Sequence, residues 1–406
     1  MIPANTATLR PTKLGLLARC PTDAVNLVAE AQIWLWRKLP AFCHFFRIAS
    51  GDDETMGKTE THGPLIAVFG ATGYTGRFVL KELLRRGVSP VAIARNPTAL
   101  SAADFAKSDV ERRKASLDDA ESLNEAFHGT RAVINCAGPF IDTAEPVVSA
   151  ALRAGIHYVD VAAEQLSIAK TLERFDEPAR KAGAAVVPSM AYFGGLGDLL
   201  ATAAMGDWDA SDSIDVMVGF DRWHPTPGTR NTIARNSKGN LCVTNGQLAE
   251  VSSPPPKRRW KFAEPVGHQD VIELPFAEVL LISRHLKTTE LHTYLTQVAV
   301  GDVLNPATPG PKAVDAMGRS EQNFALEVVV TRGGERRRAT ARGRDSYAVS
   351  SPLVCEAVQR LLRGEFRSVG AHAPGAIFDA KAVLAGLGDD YPVEFSAADS
   401  IDEPSR

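Results

Sequence analysis

The 406-residue chain lacks several features that would assign it to a particular class of protein. Its five cysteines show neither a CxxC pair nor a zinc-ligand spacing, which argues against a disulfide framework and predicts a reducing compartment and no metal. The net charge of −3 gives no basic field for nucleic acid. No uninterrupted apolar run reaches the roughly 18 residues that a spanning helix needs. We therefore expect a cytoplasmic protein without a nucleic-acid partner.

Residues 1–60 form an N-terminal extension of different composition. Within it, residues 27–48 (LVAEAQIWLWRKLPAFCHFFRI) are rich in aromatic side chains and are interrupted by Pro40, without the apolar core and cleavage site of a secretory signal. One interpretation is an interfacial membrane helix. The alternatives, which we favour, are that this segment packs on the body of the protein or that translation begins at Met56.

A regular alternation of short apolar segments and helical segments begins at residue 61. The segments PLIAVFG, PVAIAR, AVINCAG, IHYVDV and GAAVVP have the continuous apolar character of buried strands. Such strands, separated by helices, are typical of a parallel sheet that is covered on both faces. We predict an α/β fold with a Rossmann-type doubly wound parallel sheet over residues 61–190.

The pattern changes after residue 190. The segment FALEVVVTRGGERRRATARG reads as two long strands joined by a turn at Gly333–Gly334, and a helical segment follows it. We predict a second α+β domain over residues 191–344, used for substrate binding or dimerisation. Residues 345–395 are predicted to return to the first domain.

A glycine-rich turn, VFGATGYTGRFVL, joins the first predicted strand to a helix. Glycine lets the backbone approach a phosphate closely, and the following helix directs free N–H groups at it. The order strand, turn, helix is the context that a dinucleotide-binding motif requires. The cofactor contacts predicted here are Gly70, Thr72, Gly73, Tyr74, Thr75 and Gly76.

The end of the second predicted strand indicates which dinucleotide binds. An acidic residue there would hold a ribose 2′-hydroxyl, but this sequence has Arg95 and Asn96. A guanidinium group pairs with a 2′-phosphate and stacks on adenine, and Asn96 adds a neutral hydrogen bond. We predict NADP(H) rather than NAD; the alternative is that Arg95 is a solvent-facing residue at a strand end.

The proton-donating Tyr of short-chain dehydrogenases, with Lys four residues later, is missing. The residues at that offset from the six tyrosines are Phe78, Ala162, Leu196, Val298, Ser351 and Phe395. That chemistry is therefore excluded.

The segment VINCAGPFIDTAEPVVSAALRAGIHYVDVAAE, residues 133–164, resembles the saccharopine dehydrogenase-like family, in which a strand ends in a Gly-Pro-Phe loop and the next helix leads to a YVD…E segment. The segments RNPTAL, PGTRNTIARN and HAPGAIFDAKAVLAGL resemble other parts of the family, so the resemblance spans residues 64–387. One departure is Ala163, where the family commonly carries Gly. The resemblance implies hydride transfer to or from a nicotinamide ring.

The Gly-Pro-Phe loop lies at the carboxyl edge of the predicted sheet, where ligands of such sheets bind. The glycine lets the backbone approach the nicotinamide ribose, and the next two residues wall one face of the ring. The cofactor contacts predicted here are Cys136, Ala137, Gly138, Pro139 and Phe140. Asp160 and Glu164, at the next strand end, either tie loops together or touch a ligand.

Residues after the first domain supply candidate substrate contacts. Tyr192 has a proton to give, with packing at the domain junction as the alternative, and Asp198 is expected to cap the helix that follows GGLG. In DRWHPTPGTR, a Trp-His pair is expected to wall the substrate, His224 being a candidate donor or a solvated loop residue. The predicted substrate contacts are Tyr192, Trp223, His224 and Thr229, and no residue is assigned as the catalytic acid.

The resemblance implies an NADPH-dependent reductase, since members of that family reduce imines or the conjugated double bonds of polyketide-derived lipids. We therefore expect reduction of a C=C or C=N bond in a small, lipid-like or polyketide-like substrate, with a homodimer as a further expectation. Binding a keto acid and an amino acid requires convergent cations, for which the candidates are Arg222, Arg230 and Arg235. A non-catalytic NADP-binding sensor or scaffold is the alternative.

Overall fold

The computed structural model describes residues 63–100, 110–235 and 240–397, so the predicted N-terminal extension and its segment 27–48 lie outside the described residues. The strands are β1 (Leu65–Phe69), β2 (Ser89–Ala94), β3 (Glu111–Lys114), β4 (Thr130–Asn135), β5 (His157–Asp160), β6 (Ala185–Val187), β7 (Ser211–Phe220), β8 (Leu241–Thr244), β9 (Gln247–Glu250), β10 (Lys257–Lys261), β11 (His268–Glu273), β12 (Thr288–Thr296), β13 (Asn323–Arg332), β14 (Glu335–Arg344), β15 (Gly370–Ala371) and β16 (Val393–Ala397).

The helices alternate with the strands in the first half of the chain and lie between or after them in the second. They are α1 (Tyr74–Arg85), α2 (Ala120–Ala126), α3 (Phe140–Arg153), α4 (Gln165–Ala182), α5 (Gly197–Met205), α6 (Pro227–Arg235), α7 (Ala277–Ser283), α8 (Gln297–Leu304), α9 (Ser350–Arg363), α10 (Pro374–Ile377) and α11 (Ala380–Ala385). Among the helices described, none combines the length and the apolarity that a bilayer crossing requires.

The first sheet is parallel, with strand order β3-β2-β1-β4-β5-β6-β15. Alternate residues of β1 enter two different cores: Ile66 and Val68 pack into one, Ala67 and Phe69 into the other. Burial on both faces explains the continuous apolar strands. The predicted doubly wound Rossmann-type sheet is thus confirmed. The charged edge strand β3 was missed because its sequence, ERRK, has no apolar pattern.

The second sheet is mixed, and among the described residues it runs in the order β10-β11-β12-β7-β13-β14-β16, with β8 paired to β12 and β9 paired to β8. Strands β13 and β14 form the predicted hairpin, whose turn residues Gly333 and Gly334 have φ of +57° and +84°. Positive φ at both central residues is what a tight hairpin turn with strand-matching twist requires.

The chain after β14 contributes to both sheets. Helix α9 lies against α1, where Arg86 Nη1 donates a hydrogen bond of 2.6 Å to Glu356 Oε2, and β15 extends the parallel sheet beside β6. The final strand, β16, instead pairs with β14 of the second sheet. Residues 345–395 therefore do not return to the first domain alone.

One local expectation was wrong. Asp198 does not cap α5 but lies inside its first turn, fully buried, where it accepts a hydrogen bond of 2.7 Å from the Gly375 N–H. Helix α6 begins at Pro227, because proline suits the first turn of a helix.

Candidate functional site

The glycine turn is closed by contacts that only glycine permits. Gly70 has φ of +80°, and a Cβ there would lie 2.8 Å from the Ala137 nitrogen. A Cβ on Gly76 would lie 2.4 Å from the Gly70 oxygen, so helix α1 can start this close to β1 only without a side chain. The turn is also held to the end of β2, since the Gly70 and Ala71 N–H groups both donate to the Ile93 oxygen.

The start of α1 fits the pyrophosphate of a dinucleotide. Its N-cap is Gly73, which supplies no side-chain hydrogen bond, and the first turn contains no acidic residue. The first N–H groups of the helix and the positive end of its dipole are therefore available to an anion. Thr72, Gly73, Tyr74 and Thr75 line a cavity of about 570 Å³ at this point.

Arg95 and Asn96 follow directly after β2, at the same edge of the sheet as the glycine turn. Arg95 is exposed and, among the described residues, forms no ion pair or hydrogen bond, which leaves its guanidinium group open to a phosphate. Asn96 is exposed too, and its Oδ1 accepts a hydrogen bond from the Thr98 hydroxyl. Neither side chain lines the 570 Å³ cavity, so any contact they make lies on the adenosine side of the turn.

Only some of the cofactor contacts predicted in the Gly-Pro-Phe loop line the cavity. Cys136, Gly138 and Phe140 line it, whereas Ala137 packs beneath Gly70 and Pro139 is the N-cap of α3. Burial, followed by the charge of Asp160, raises the pKa of the Cys136 thiol well above its usual range. The thiol is therefore a packing group at this wall rather than a nucleophile.

Asp160 and Glu164 hold this edge of the sheet together. Asp160 is buried, accepts hydrogen bonds from the Ser189 and Ala162 N–H groups and the Tyr158 hydroxyl, and has a pKa raised to about 6 by burial. Glu164 accepts from the Phe140 N–H at 2.9 Å, which fixes the start of α3. Of the two interpretations, the tying of loops holds for both residues, and Glu164 also lines the cavity.

The opposite wall is an aromatic cluster with hydroxyl groups at its edge. Trp223 stacks on Phe220, with ring centroids 5.5 Å apart, and its Nε1–H donates to the Tyr347 hydroxyl at 3.0 Å. The same hydroxyl accepts from the Thr226 N–H at 3.3 Å and lies 2.8 Å from Thr229 Oγ1. Thr229 Oγ1 lies 3.0 Å from Thr226 Oγ1.

This hydroxyl chain (Thr226, Thr229, Tyr347) has one more hydroxyl hydrogen than its internal hydrogen bonds use. Three hydroxyl hydrogens are present, but only two hydroxyl-to-hydroxyl contacts use them. Because the Tyr347 oxygen already accepts from two N–H groups, its own hydrogen goes to Thr229. Either threonine can donate to the other, so the surplus hydrogen belongs to one of the two threonines, both of which line the cavity.

The two predicted candidate proton donors are placed differently. Tyr192 lies at the cavity, but its hydroxyl is buried without a hydrogen-bond partner among the described residues, and its ring packs edge-on to Phe324. This matches the alternative of packing at the domain junction. His224 is not part of the cavity lining; its Nε2 lies 3.5 Å from Glu321 Oε1.

The three arginines considered for carboxylate binding do not converge on the cavity. Arg222 pairs with Glu321 and Arg235 with Asp142. Arg230 donates to the backbone oxygens of Val303, Asn305 and Thr308. Within the described part of the chain, no Arg, Lys or His lines the cavity.

Sequence reasoning missed Thr226 and Tyr347, together with the aromatic lining residues Phe193 and Phe276. Tyr347 was considered only for a Lys four residues later, whereas its contacts to the hydroxyl chain span 118 residues or more. The pair Thr226 and Thr229, three apart at a helix start, was the available signal. A second groove, of about 780 Å³ and lined by Leu241, Leu248 and Lys287 among others, contains none of the predicted cofactor contacts.

Comparison with known proteins identifies the cofactor-binding part of the chain. Residues 66–187 match a family described as the saccharopine dehydrogenase NADP binding domain. A probable mitochondrial saccharopine dehydrogenase-like oxidoreductase of Arabidopsis thaliana is 29% identical over 154 residues, 34% of this chain and 34% of that protein. A lipid droplet localized protein of Caenorhabditis elegans is 25% identical over 247 residues, 54% of this chain and 58% of its own length.

Among solved structures, saccharopine dehydrogenase (L-Glu forming) from Saccharomyces cerevisiae superposes with a TM-score of 0.61 at 14% identity, covering 82% of this chain and 100% of that one. This likeness supports the fold alone. The matched part spans about a third of the length of the Arabidopsis relative. The predicted resemblance and the predicted cofactor, NADP(H), are confirmed, because residues 66–187 match the saccharopine dehydrogenase NADP binding domain.

Proposed function

We propose that this protein is an NADPH-dependent reductase that transfers hydride to a C=C or C=N bond of a weakly polar, lipid-like or polyketide-like substrate. The observation that carries this proposal is the composition of the 570 Å³ cavity, whose described lining is aromatic, aliphatic and hydroxyl-bearing, with no cation and one carboxylate, Glu164. A substrate with several carboxylates, such as an amino acid joined to a keto acid, would be desolvated there without a partner.

In this proposal the bound cofactor supplies the hydride, and the protein supplies position, shielding and a hydrogen-bond donor. Gly138 and Phe140 shape the wall beside the reacting ring, while Phe193, Phe276 and Trp223 exclude water from the other side. The proposal assigns the surplus hydrogen of the hydroxyl chain to Thr226, which donates it to an oxygen or nitrogen conjugated with the reducible bond. Such a donor stabilises the negative charge that develops as hydride arrives.

The test is consumption of NADPH, followed by absorbance, with an uncharged α,β-unsaturated ketone, an enoyl thioester and an uncharged imine. A glutamate-derived imine serves as the polar comparison. We expect turnover with at least one uncharged acceptor and none with the glutamate-derived imine. NADPH carrying deuterium at nicotinamide C4 would place the label on carbon in the product and identify the bond that is reduced.

Tight NADPH binding without turnover of any of these acceptors would contradict the proposal. It would instead favour the alternative of a non-catalytic NADP-binding sensor or scaffold. Turnover confined to the glutamate-derived imine would assign the cavity to amino-acid chemistry.

A further inference from the structure

Three strands of the second sheet bring a cysteine, a glutamate and a histidine together, away from the cavity. Strand β12 is paired along one edge first by β8, where Leu291 faces Val243, and then by β11, where Tyr294 faces Glu273. In the antiparallel β8–β12 pair, the residues next to Leu291 and Val243 also face each other, so Cys242 lies opposite His292.

Side-chain alternation places this group on one face of the sheet. Val243 and Leu291 point to the face that is packed into the core. Cys242 and His292 therefore point to the other face, and so does Glu273, because it faces Tyr294, two residues from His292. We call Cys242, Glu273 and His292 the strand cluster.

The strand cluster has the dimensions of a metal site. Its three ligand atoms all lie within 4.8 Å of one another, and His292 Nδ1 is 2.6 Å from Glu273 Oε1. In a tetrahedral zinc site, sulfur and nitrogen ligands lie about 3.5 Å apart and nitrogen and oxygen ligands about 3.3 Å apart. The His292–Glu273 pair must therefore open from 2.6 Å, and the thiol, now within 4.8 Å of both, must adjust to these distances. Cys242 and Glu273 are 4% and 3% exposed, so their positions are fixed by packing.

The second ring nitrogen of His292, Nε2, has the kind of partner that a metal-ligating histidine commonly has. Glu290 Oε2 lies 3.2 Å from His292 Nε2. A carboxylate that accepts the second ring N–H of a ligating histidine orients the ring and fixes its tautomer. In this arrangement Nδ1 faces the other two members of the strand cluster.

An ion pair between His292 and the two glutamates does not account for the thiol. Cys242 Sγ has only weak contacts, 3.6 Å to the Ala249 oxygen and 3.9 Å to Thr244 Oγ1.

We infer that Cys242, Glu273 and His292 bind one Zn²⁺, with Glu290 as a positioning residue and a water in the fourth position. Thiolate and imidazole ligands select zinc over the oxygen-preferring Mg²⁺ and Ca²⁺. The metal would fasten the β8–β9 hairpin, which pairs with β12 at Leu291 and Val243, to the body of the sheet. This inference is independent of the proposed function, and it departs from the sequence-based expectation of no metal.

The test uses the full chain, stripped with a chelator and titrated with Zn²⁺ alone. We expect one equivalent to bind, and Cys242→Ser or His292→Gln to remove most of this binding. Glu290→Gln is expected to weaken it by about tenfold to a hundredfold. His268→Gln, which changes an exposed histidine on β11, is the matched control and is expected to bind as the unmutated chain does.

Substitution with Co²⁺ keeps the test decisive if a variant fails to fold. The unmutated chain should show a thiolate-to-cobalt charge-transfer band, and Zn²⁺ should protect Cys242 from alkylation in a peptide map. Absence of that band, or zinc binding that is unchanged in folded Cys242→Ser and His292→Gln, would overturn the inference. NADPH binding is expected to be the same with and without zinc, so this result stands apart from the reductase test.

Discussion

The two walls of the cavity differ in how far apart in sequence their contacts lie. The cofactor wall is built by short motifs on adjacent strands: Gly70 is bonded to the end of β2, and Cys136 N–H donates to the Phe69 oxygen at 2.8 Å. The opposite wall joins Trp223 to Tyr347 across 124 residues. The residues of the cofactor wall lie in short sequence motifs that a family shares. The residues of the opposite wall become neighbours only when the two layers pack together.

The largest effect should come from breaking the cofactor wall at its tightest contact. In Gly76→Ala the new Cβ would lie 2.4 Å from the Gly70 oxygen, so α1 must move away from β1. We expect loss of detectable NADPH binding and a decrease of about 1–3 kcal/mol in the free energy of unfolding. Gly301→Ala is the matched control, because a Cβ there meets nothing within 4 Å. Equal behaviour of the two variants in NADPH fluorescence titration would refute the tight-turn argument.

The next effect tests whether the cofactor wall discriminates between dinucleotides. Arg95→Asp replaces an exposed cation by a carboxylate that favours a ribose hydroxyl. We expect NADPH affinity to fall by roughly tenfold to a hundredfold, the value of a lost charge-assisted hydrogen bond, and NADH affinity to be preserved. Arg259→Asp, an exposed arginine of β10, controls for charge reversal. A parallel loss for both nucleotides would mean that Arg95 does not read the 2′-phosphate.

The opposite wall is tested through its surplus hydrogen. Thr226→Val keeps the side-chain volume but removes the donor, so we expect kcat to fall on the order of a hundredfold with the Kd for NADPH unchanged. The comparison is Thr202→Val, whose hydroxyl donates to the Asp198 oxygen within α5. If Thr226→Val turned over its substrate at the unmutated rate, the hydroxyl chain would be a structural feature of the wall only.

The smallest effect concerns the pH dependence of stability, which we attribute to a histidine outside the two walls. Burial lowers the pKa of His285, but the charge and hydrogen bond of Asp198, 2.6 Å away, outweigh it and leave the pKa raised. A raised folded-state pKa gives stability that is fully present below the ordinary value of about 6.5 and is lost as pH rises through the folded value. We expect His285→Gln to flatten the pH dependence of Tm over this interval. An unchanged slope would show that the pair is not protonated in the folded state.

The contrast between the walls also explains what the sequence could predict. The parallel sheet, the glycine turn and the Gly-Pro-Phe loop follow from apolar runs and short motifs, because both faces of these strands are buried and the turn needs glycine. Edge strand β3 carries no such pattern, since only backbone hydrogen bonds to β2 define it. The strand cluster could not be predicted from the sequence, for the same reason as the hydroxyl chain. Its members become neighbours only when the strands pair in the sheet.

Helix α9 has a consequence for how this protein can be divided. Leu353, Val354, Cys355, Ala357 and Val358 are fully buried. Cys355 contacts Val79 of α1. In sequence, Cys355 lies more than 160 residues beyond residue 187, where the matched domain ends. Cutting the chain at that boundary would strip this cover from the glycine-turn helix and expose its apolar face to water. The structural unit that binds the cofactor therefore includes helix α9 and is not one continuous stretch of sequence.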